Sequence, residues 1–155
     1  MTPRLTIGVS LGAVVVRPPW HSFEEVVRGL VHELAAAGHL PAGGETSAVR
    51  AVLEREAMAS TALVEIGVSI PHARVDHVSD VVVALAVSPQ AVYFASAEVP
   101  ITIVALMLSP ASGSVSHLNY LSSLSMLLQS ESTRQRLQNA TTPEEVEEII
   151  RKQWR

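Results

Sequence analysis

The segment Ser69-Ile70-Pro71-His72-Ala73-Arg74 places a histidine and an arginine two residues apart, directly after a short apolar run. A neutral imidazole is a competent nucleophile near neutral pH, and a phosphorylated imidazole needs donors nearby to spread its charge. Pro71 restricts the approach of the backbone. If the chain is extended here, alternation of side chains directs His72 and Arg74 to the same side. Alone, the pattern is a weak signal, because a histidine beside a proline is commonly structural or on the surface.

Two flanking motifs add further candidates. Arg55-Glu56 lies near the end of a predicted helix and precedes Ser60-Thr61, and Ser116-His117-Leu118 begins a leucine-rich segment. Each also has an ordinary explanation. His117 could cap or pack a helix, Arg55 could be a solvated cation at a helix end, and Arg74 could be a surface charge at a strand edge.

The composition bounds the class of protein. A chain of 155 residues with 48% apolar residues and a mean hydropathy of +0.30 fits one domain, residues 1–155, with a single core. The net charge of −4 argues against a nucleic-acid partner, which requires concentrated Lys and Arg. The chain has no cysteine, so a thiolate nucleophile, a disulfide scaffold and a cysteine-based zinc site are all excluded.

Hydropathy gives no sign of direct membrane insertion. The longest apolar runs, residues 81–87 and 101–108, are far shorter than the roughly 20 residues that a transmembrane helix needs. The first 11 residues lack the apolar segment and cleavage site of a signal peptide. We therefore expect a cytoplasmic protein.

The order of predicted elements indicates an α/β fold. Capping boxes predict helices after Ser22 and Thr142, and Ser130 is a further predicted cap. Apolar residues at helical spacing predict additional helices, whereas short β-branched runs predict strands that are covered on both faces. The predicted strands are residues 13–16, 68–70, 81–87 and 101–108, and the other predicted helices are residues 47–59 and 118–128, the latter with a buried stripe of Leu118, Leu121, Leu124 and Leu128.

Taken together, the ordered motifs resemble the enzyme IIA domain of the sugar phosphotransferase system, in its fructose/mannitol (type 2, nitrogen-regulatory-like) family. In that family an Arg-Glu pair precedes Ser-Thr and a glycine turn, then Pro-His with a basic residue, and a second histidine opens a later leucine-rich helix. The resemblance extends from the Ser22 helix to the Thr142-Pro143-Glu144-Glu145 helix, and it includes the apolar strand Val92-Tyr93-Phe94.

The resemblance implies a fold, a site and partners. The fold is a three-layer α/β sandwich with a mixed central β-sheet flanked by helices on both faces. His72 matches the phosphorylated histidine, His117 the second active-site histidine, and Arg55 the arginine that stabilises the phosphoryl charge. The phosphoryl group would come from a histidine-containing phosphocarrier protein and pass to a cysteine of an enzyme IIB on a separate chain. The carrier itself needs no metal and no organic cofactor.

The chain departs from the family in the turn before His72. It has Ala62-Leu63-Val64-Glu65-Ile66-Gly67, where the family has a shorter turn with several glycines. Such glycines let backbone amides approach a phosphate. We therefore expect the segment Ala62 to Ile66 to crowd the phosphoryl site and slow phosphotransfer. This keeps an alternative function open, a regulatory binding module of the same fold that signals through partner contacts.

Two other patterns in the sequence have simpler explanations. Gly8-Val9-Ser10-Leu11-Gly12 formally matches a hydrolase nucleophile elbow, but prolines follow where a helix should begin. His72, Asp76, His77 and Asp80 are metal-ligand types, but they lack the spacing of a helical ligand pair and fit a solvated turn more simply. We expect no metal site.

Overall fold

The computed structural model describes residues 11–112 and 114–153. Within these ranges the chain forms eight strands, five α-helices and one short 3-10 helix, Ser96–Glu98. Six of the strands form one sheet, and the other two form a separate hairpin. The strands are β1 (Leu11–Val16), β2 (Ala62–Leu63), β3 (Val68–Ser69), β4 (His72–Val75), β5 (Val82–Val87), β6 (Tyr93–Ala95), β7 (Val99–Ile101) and β8 (Ile103–Pro110). The helices are α1 (Phe23–Ala36), α2 (Gly44–Met58), α3 (Ser114–Gln129), α4 (Glu131–Asn139) and α5 (Pro143–Lys152).

The main sheet is mixed, as the resemblance implied. Its order is β1-β5-β8-β3-β2, and β4 also pairs with β8. β8 runs antiparallel to β5 but parallel to both β3 and β4. The two short strands therefore share one side of β8, with β3 against its first half and β4 against its second half.

Two hydrophobic clusters cover the two faces of the sheet. One contains buried residues of α1 and α2 and the even-numbered residues of β8 from Val104 to Leu108, whereas the other contains residues of α3, α4 and α5 and the odd-numbered residues from Ile103 to Met107. This split follows from the alternation of side chains along a strand. It confirms the expected three-layer sandwich, with helices on both faces.

The helix starts follow the predicted caps. The Ser22 and Thr142 hydroxyls each accept a hydrogen bond from the backbone N–H three residues on, and Ser130 caps α4 in the same way. α2 begins at Gly44, three residues before the predicted start, after Gly43 with a φ of 83°. Among the described residues, no helix is both long enough and apolar enough to cross a bilayer.

The predicted leucine stripe of α3 was wrong at its first member. Leu124 and Leu128 are buried, but Leu118 is 61% exposed. A residue advances about 100° around a helix, so six residues turn Leu118 about 120° away from Leu124.

The strand prediction for residues 101–108 also needs correction, because the pairing changes at Thr102. Ile101 ends β7 in the hairpin with β6, and Ile103 begins β8 in the main sheet.

Candidate functional site

His72 lies at the edge of the main sheet, where β4 pairs with β8. The sequence predicted His72 at the end of the strand that begins at Val68, but it is the first residue of the next strand, β4. The reason is that β3 ends at Ser69 and Pro71 interrupts the pairing. The Pro71 carbonyl accepts a hydrogen bond from the Met107 N–H at 2.9 Å, which keeps the chain between β3 and β4 beside β8. His72 is opposite Met107 in the ladder. Residues directly opposite one another project to the same face, so His72 projects toward the α3 side.

The imidazole of His72 is held by the backbone just before it. Its Nδ1 lies 2.8 Å from the Ile70 carbonyl oxygen, and the residue is 8% exposed. A carbonyl oxygen can only accept, so the ring must donate from Nδ1–H. In the neutral ring this leaves the lone pair on Nε2. The backbone therefore selects which nitrogen can act as a nucleophile.

His117 faces His72 from the first turn of α3. The two ring centroids are 5.4 Å apart, and the rings meet edge to face at 63°. The Nδ1 of His117 forms a short hydrogen bond with the hydroxyl of Ser109, which is fully buried near the end of β8. Since Nδ1 is engaged there, Nε2 is the ring nitrogen that remains for the cleft.

The surroundings favour the neutral form of His117. Burial lowers its pKa below the usual value near 6.5, and the positive charges of Arg74 and Arg55, with that of His72 whenever its ring is protonated, lower this pKa further. A neutral imidazole carries one N–H and one lone pair, so His117 has one donor and one acceptor at pH 7.

Arg55 reaches the same place from the other face of the sheet. It lies in the last turn of α2, where its Nη1 donates to the carbonyl of the C-cap residue, Ala59, at 3.1 Å. Only one of the five guanidinium N–H groups is needed for that bond. Arg55 therefore caps the carboxyl end of α2 through its side chain and also places a permanent positive charge near the two histidines.

These side chains line one shallow cleft of about 540 Å³ at the edge of the sheet. The structure brings together the three residues that the resemblance matched, His72, His117 and Arg55, and it brings the weaker candidate Arg74 to the same cleft. Among the described residues of the lining, Glu54 is the one carboxylate. Met58 and Leu118, which are 81% and 61% exposed, form an apolar rim. The net charge of the chain is negative, yet this cleft concentrates cations, which suits an anionic group.

Glu56 is a residue whose role the sequence did not reveal. Its carboxylate accepts hydrogen bonds from the Thr61 backbone N–H at 2.9 Å and from the Thr61 hydroxyl at 2.6 Å. The Arg-Glu and Ser-Thr motifs are thus joined physically, because Glu56 ties the end of α2 to the chain that enters β2. This contact fixes the helix end that carries Arg55.

Ser109 was also missed. Its sequence signal is a single hydroxyl at the end of an otherwise apolar strand, since residues 103–108 are all apolar. Such a position could have been singled out, because buried polar side chains almost always have a hydrogen-bond partner. The identity of the partner depends on how α3 packs on the sheet.

The unusual turn lies away from the cleft, contrary to the expectation that it crowds the site. β2 and β3 form an antiparallel hairpin, and β3 pairs with Ile103 and Val104 at the beginning of β8. Gly67, at the tip, accepts from the Thr102 N–H at 2.9 Å. His72 is opposite Met107, which is four residues after Ile103, or roughly 13 Å along β8 at about 3.3 Å per residue.

The two competing patterns receive no support. Asp76, His77 and Asp80 are exposed, whereas His72 is buried. Among the residues that the structure describes, no group of three or more His, Asp or Glu side chains is placed to hold a metal ion. Residues 8–10 of the hydrolase-like motif lie outside the described residues.

Comparison with known proteins gives a family match over almost the whole chain. The model described as "Phosphoenolpyruvate-dependent sugar phosphotransferase system, EIIA 2" matches residues 10–153. A curated relative, the PTS system fructose-specific EIIA component of Haloferax volcanii, is 38% identical over 105 residues, which cover 67% of this chain and 68% of that protein.

Solved structures show the same fold. Nitrogen regulatory protein IIA-Ntr from Neisseria meningitidis superposes with a TM-score of 0.75 at 23% identity, over 90% of this chain and 92% of the other. The complex of enzyme IIAMTL and phosphorylated enzyme IIBMTL from Escherichia coli gives a TM-score of 0.74 at 22% identity, over 93% and 97%. At these identities the likeness concerns the fold alone.

Proposed function

Because this chain belongs to the EIIA 2 family of the phosphoenolpyruvate-dependent sugar phosphotransferase system, we propose that it is a phosphocarrier and that His72 takes the phosphoryl group. The observation that carries the proposal is the pair of facing imidazoles in a cationic cleft, with the Nδ1 of His72 held by the Ile70 carbonyl. The cytoplasm is the compartment that we propose for it.

The hydrogen bond to Ile70 determines the atom that reacts. The lone pair on Nε2 of His72 attacks the phosphorus of a phosphohistidine on the donor protein. A new N–P bond forms, and the N–P bond of the donor breaks with its electron pair returning to the donor imidazole. Nδ1 keeps its proton, and the Ile70 carbonyl continues to accept from it while positive charge develops on the ring.

The other side chains of the cleft stabilise the phosphoryl oxygens. His117 is placed to donate from the facing ring, and the guanidinium of Arg55 has donors left after capping α2. Positioning and charge stabilisation account for most catalysis of phosphoryl transfer, because the protein has little covalent chemistry to perform. In this proposal the chain itself uses neither a metal nor a cofactor.

Two partners follow from the proposal. The donor is a histidine-containing phosphocarrier protein, and the acceptor is a cysteine of an enzyme IIB. Since residues 1–155 contain no cysteine, that acceptor lies outside them. The E. coli complex of a similarly folded IIA protein with a phosphorylated IIB protein supports an acceptor of this kind.

The decisive experiment is intact-mass analysis after incubation with phosphoenolpyruvate, enzyme I and the histidine phosphocarrier. We expect the mass of one acid-labile phosphoryl group on the wild-type chain and none on His72→Ala. The matched control is His77→Ala, which removes an exposed histidine five residues away and should be labelled normally. Equal labelling of His72→Ala and the wild type would overturn the assignment.

The same preparation distinguishes transport from regulation. A phosphoprotein that transfers its label to an enzyme IIB cysteine is a transport component. A phosphoprotein that no IIB discharges would instead favour the regulatory module of the same fold.

A further inference from the structure

Ser109 is a buried hydroxyl in contact with the candidate site. It is fully buried on the same face of β8 as Met107, and this face packs against α3. Among the residues that the structure describes, the Nδ1 of His117 is the hydrogen-bond partner found for the Ser109 side chain. Ser109 is opposite Arg74 in the β4–β8 ladder, and its hydroxyl contacts the His117 ring at Nδ1, the nitrogen that the cleft does not use.

Two arrangements of the proton satisfy this contact. In the first, the serine O–H donates to the lone pair of Nδ1, and the neutral ring carries its proton on Nε2. In the second, Nδ1–H donates to the serine oxygen, and the serine O–H then needs another acceptor. A buried donor without a partner costs about 1–3 kcal/mol, and buried donors without partners are rare in folded proteins. The first arrangement uses the serine donor and is therefore favoured.

We propose that Ser109 is a positioning residue that holds His117 as the Nε2–H tautomer, so that this ring donates a hydrogen bond into the cleft. The benefit to phosphotransfer rests on the proposed function. The opposite tautomer would direct a lone pair at the negatively charged phosphoryl oxygens. With Ser109 as donor, His117 presents an N–H to them without gaining or losing a proton.

The two histidines thereby receive opposite roles from their Nδ1 partners. The Nδ1 of His72 faces the Ile70 carbonyl, which can only accept, so the Nε2 of this ring carries the lone pair. His117 has a hydroxyl that donates, so its Nε2 carries a proton. The lowered pKa of His117 is consistent with this role, because the distinction between tautomers exists only for the neutral ring.

The test is the ring nitrogen chemical shifts of His117, measured by long-range ¹H–¹⁵N NMR on the unphosphorylated wild-type protein above pH 7. We expect a protonated Nε2 and an Nδ1 whose shift is displaced by an accepted hydrogen bond. A protonated Nδ1 would overturn the proposal. This readout needs neither phosphotransfer nor a variant, so it can fail or succeed independently of the proposed function.

Variants add a second readout. Ser109→Ala should abolish the hydrogen-bond displacement of the Nδ1 shift and slow phosphorylation of His72 about fivefold to tenfold, whereas Ser109→Thr, which keeps the hydroxyl, should restore most of both. The control is Ser69→Ala, which removes another fully buried strand serine, placed opposite Val104 on β8. An unchanged His117 shift in Ser109→Ala, or equal losses in the Ala and Thr variants, would count against a role for the hydroxyl.

Discussion

The two ends of β8 have different neighbours. At its carboxyl end, Met107 and Ser109 lie beside His72 and His117, and the cleft opens there. At its beginning, Ile103 pairs with β3, and the adjacent hairpin tip contacts Thr102. The hairpin, where the sequence departs from the family, is therefore separated along the strand from the histidines. Changes at the carboxyl end should therefore have large effects on phosphotransfer, and changes at the beginning should have small ones.

The largest effect among the supporting residues is expected at His117. His117→Ala should slow phosphorylation of His72 on the order of 100-fold, because loss of one preorganised donor at a developing charge typically costs that much. His117→Gln should recover part of the rate, since its amide can also donate from the end of the side chain. Single-turnover labelling of each folded variant measures both. Similar rates for His117→Ala and the wild type would contradict the expectation that changes at the carboxyl end of β8 have large effects on phosphotransfer.

A smaller effect is expected at Arg55. Arg55→Ala should slow labelling roughly tenfold, because a cation at a partly exposed site interacts with a phosphoryl group by about 1–2 kcal/mol. The matched control is Arg50→Ala, which removes an exposed arginine of α2 and should leave the rate unchanged. Thermal unfolding of both variants separates the loss of the helix cap from the loss of charge. If both variants lose rate equally, general charge and not the position of Arg55 is responsible.

The pH dependence of stability tests the environment of His117. Its pKa is lowered in the folded state, so the unfolded chain binds more protons just below pH 6.5. The free energy of unfolding contributed by neutral His117 is therefore complete above about pH 6.5 and is lost as the pH falls through the folded pKa. Urea unfolding between pH 5 and pH 8 should show a shallower acid loss for His117→Gln than for the wild type. An identical pH slope would mean that His117 is not held neutral by the fold.

The smallest effect is expected at the hairpin. Replacing Ala62-Leu63-Val64-Glu65-Ile66 by a shorter glycine-rich segment, with Gly67 retained, should change the labelling rate by less than about twofold. The exposed Glu65 lies in the turn before β3, which begins opposite Ile103, roughly 13 Å along β8 from the residue opposite His72. This exceeds the screening length of about 8 Å, so we expect its charge to contribute little there. Glu65→Gln isolates the charge, and its rate should equal that of the wild type. A several-fold acceleration by the glycine segment would show that the two ends of β8 are coupled.

The fold class and most of the elements could be predicted from the sequence alone. Caps such as Ser22 and Thr142 act over three or four residues, and the buried strands β5 and β8 are recognised by their nearly continuous apolar composition. Short stretches of sequence were therefore sufficient to predict these elements. The order of the Arg-Glu, Pro-His and second His motifs also indicated His72, His117 and Arg55. Their catalytic roles remain a proposal.

The surroundings of those residues depend on contacts that could not be predicted from the sequence. Ile70 holds His72 through a backbone carbonyl, a group that every residue has and that no sequence pattern can single out. The partnership of Ser109 with His117 depends on the packing of α3 against the sheet. The distance between the hairpin and His72 depends on which half of β8 each short strand pairs with. Strand register and helix packing bring together segments that are distant in the sequence. Both depend on how the whole hydrophobic core is buried, which a local sequence pattern does not specify.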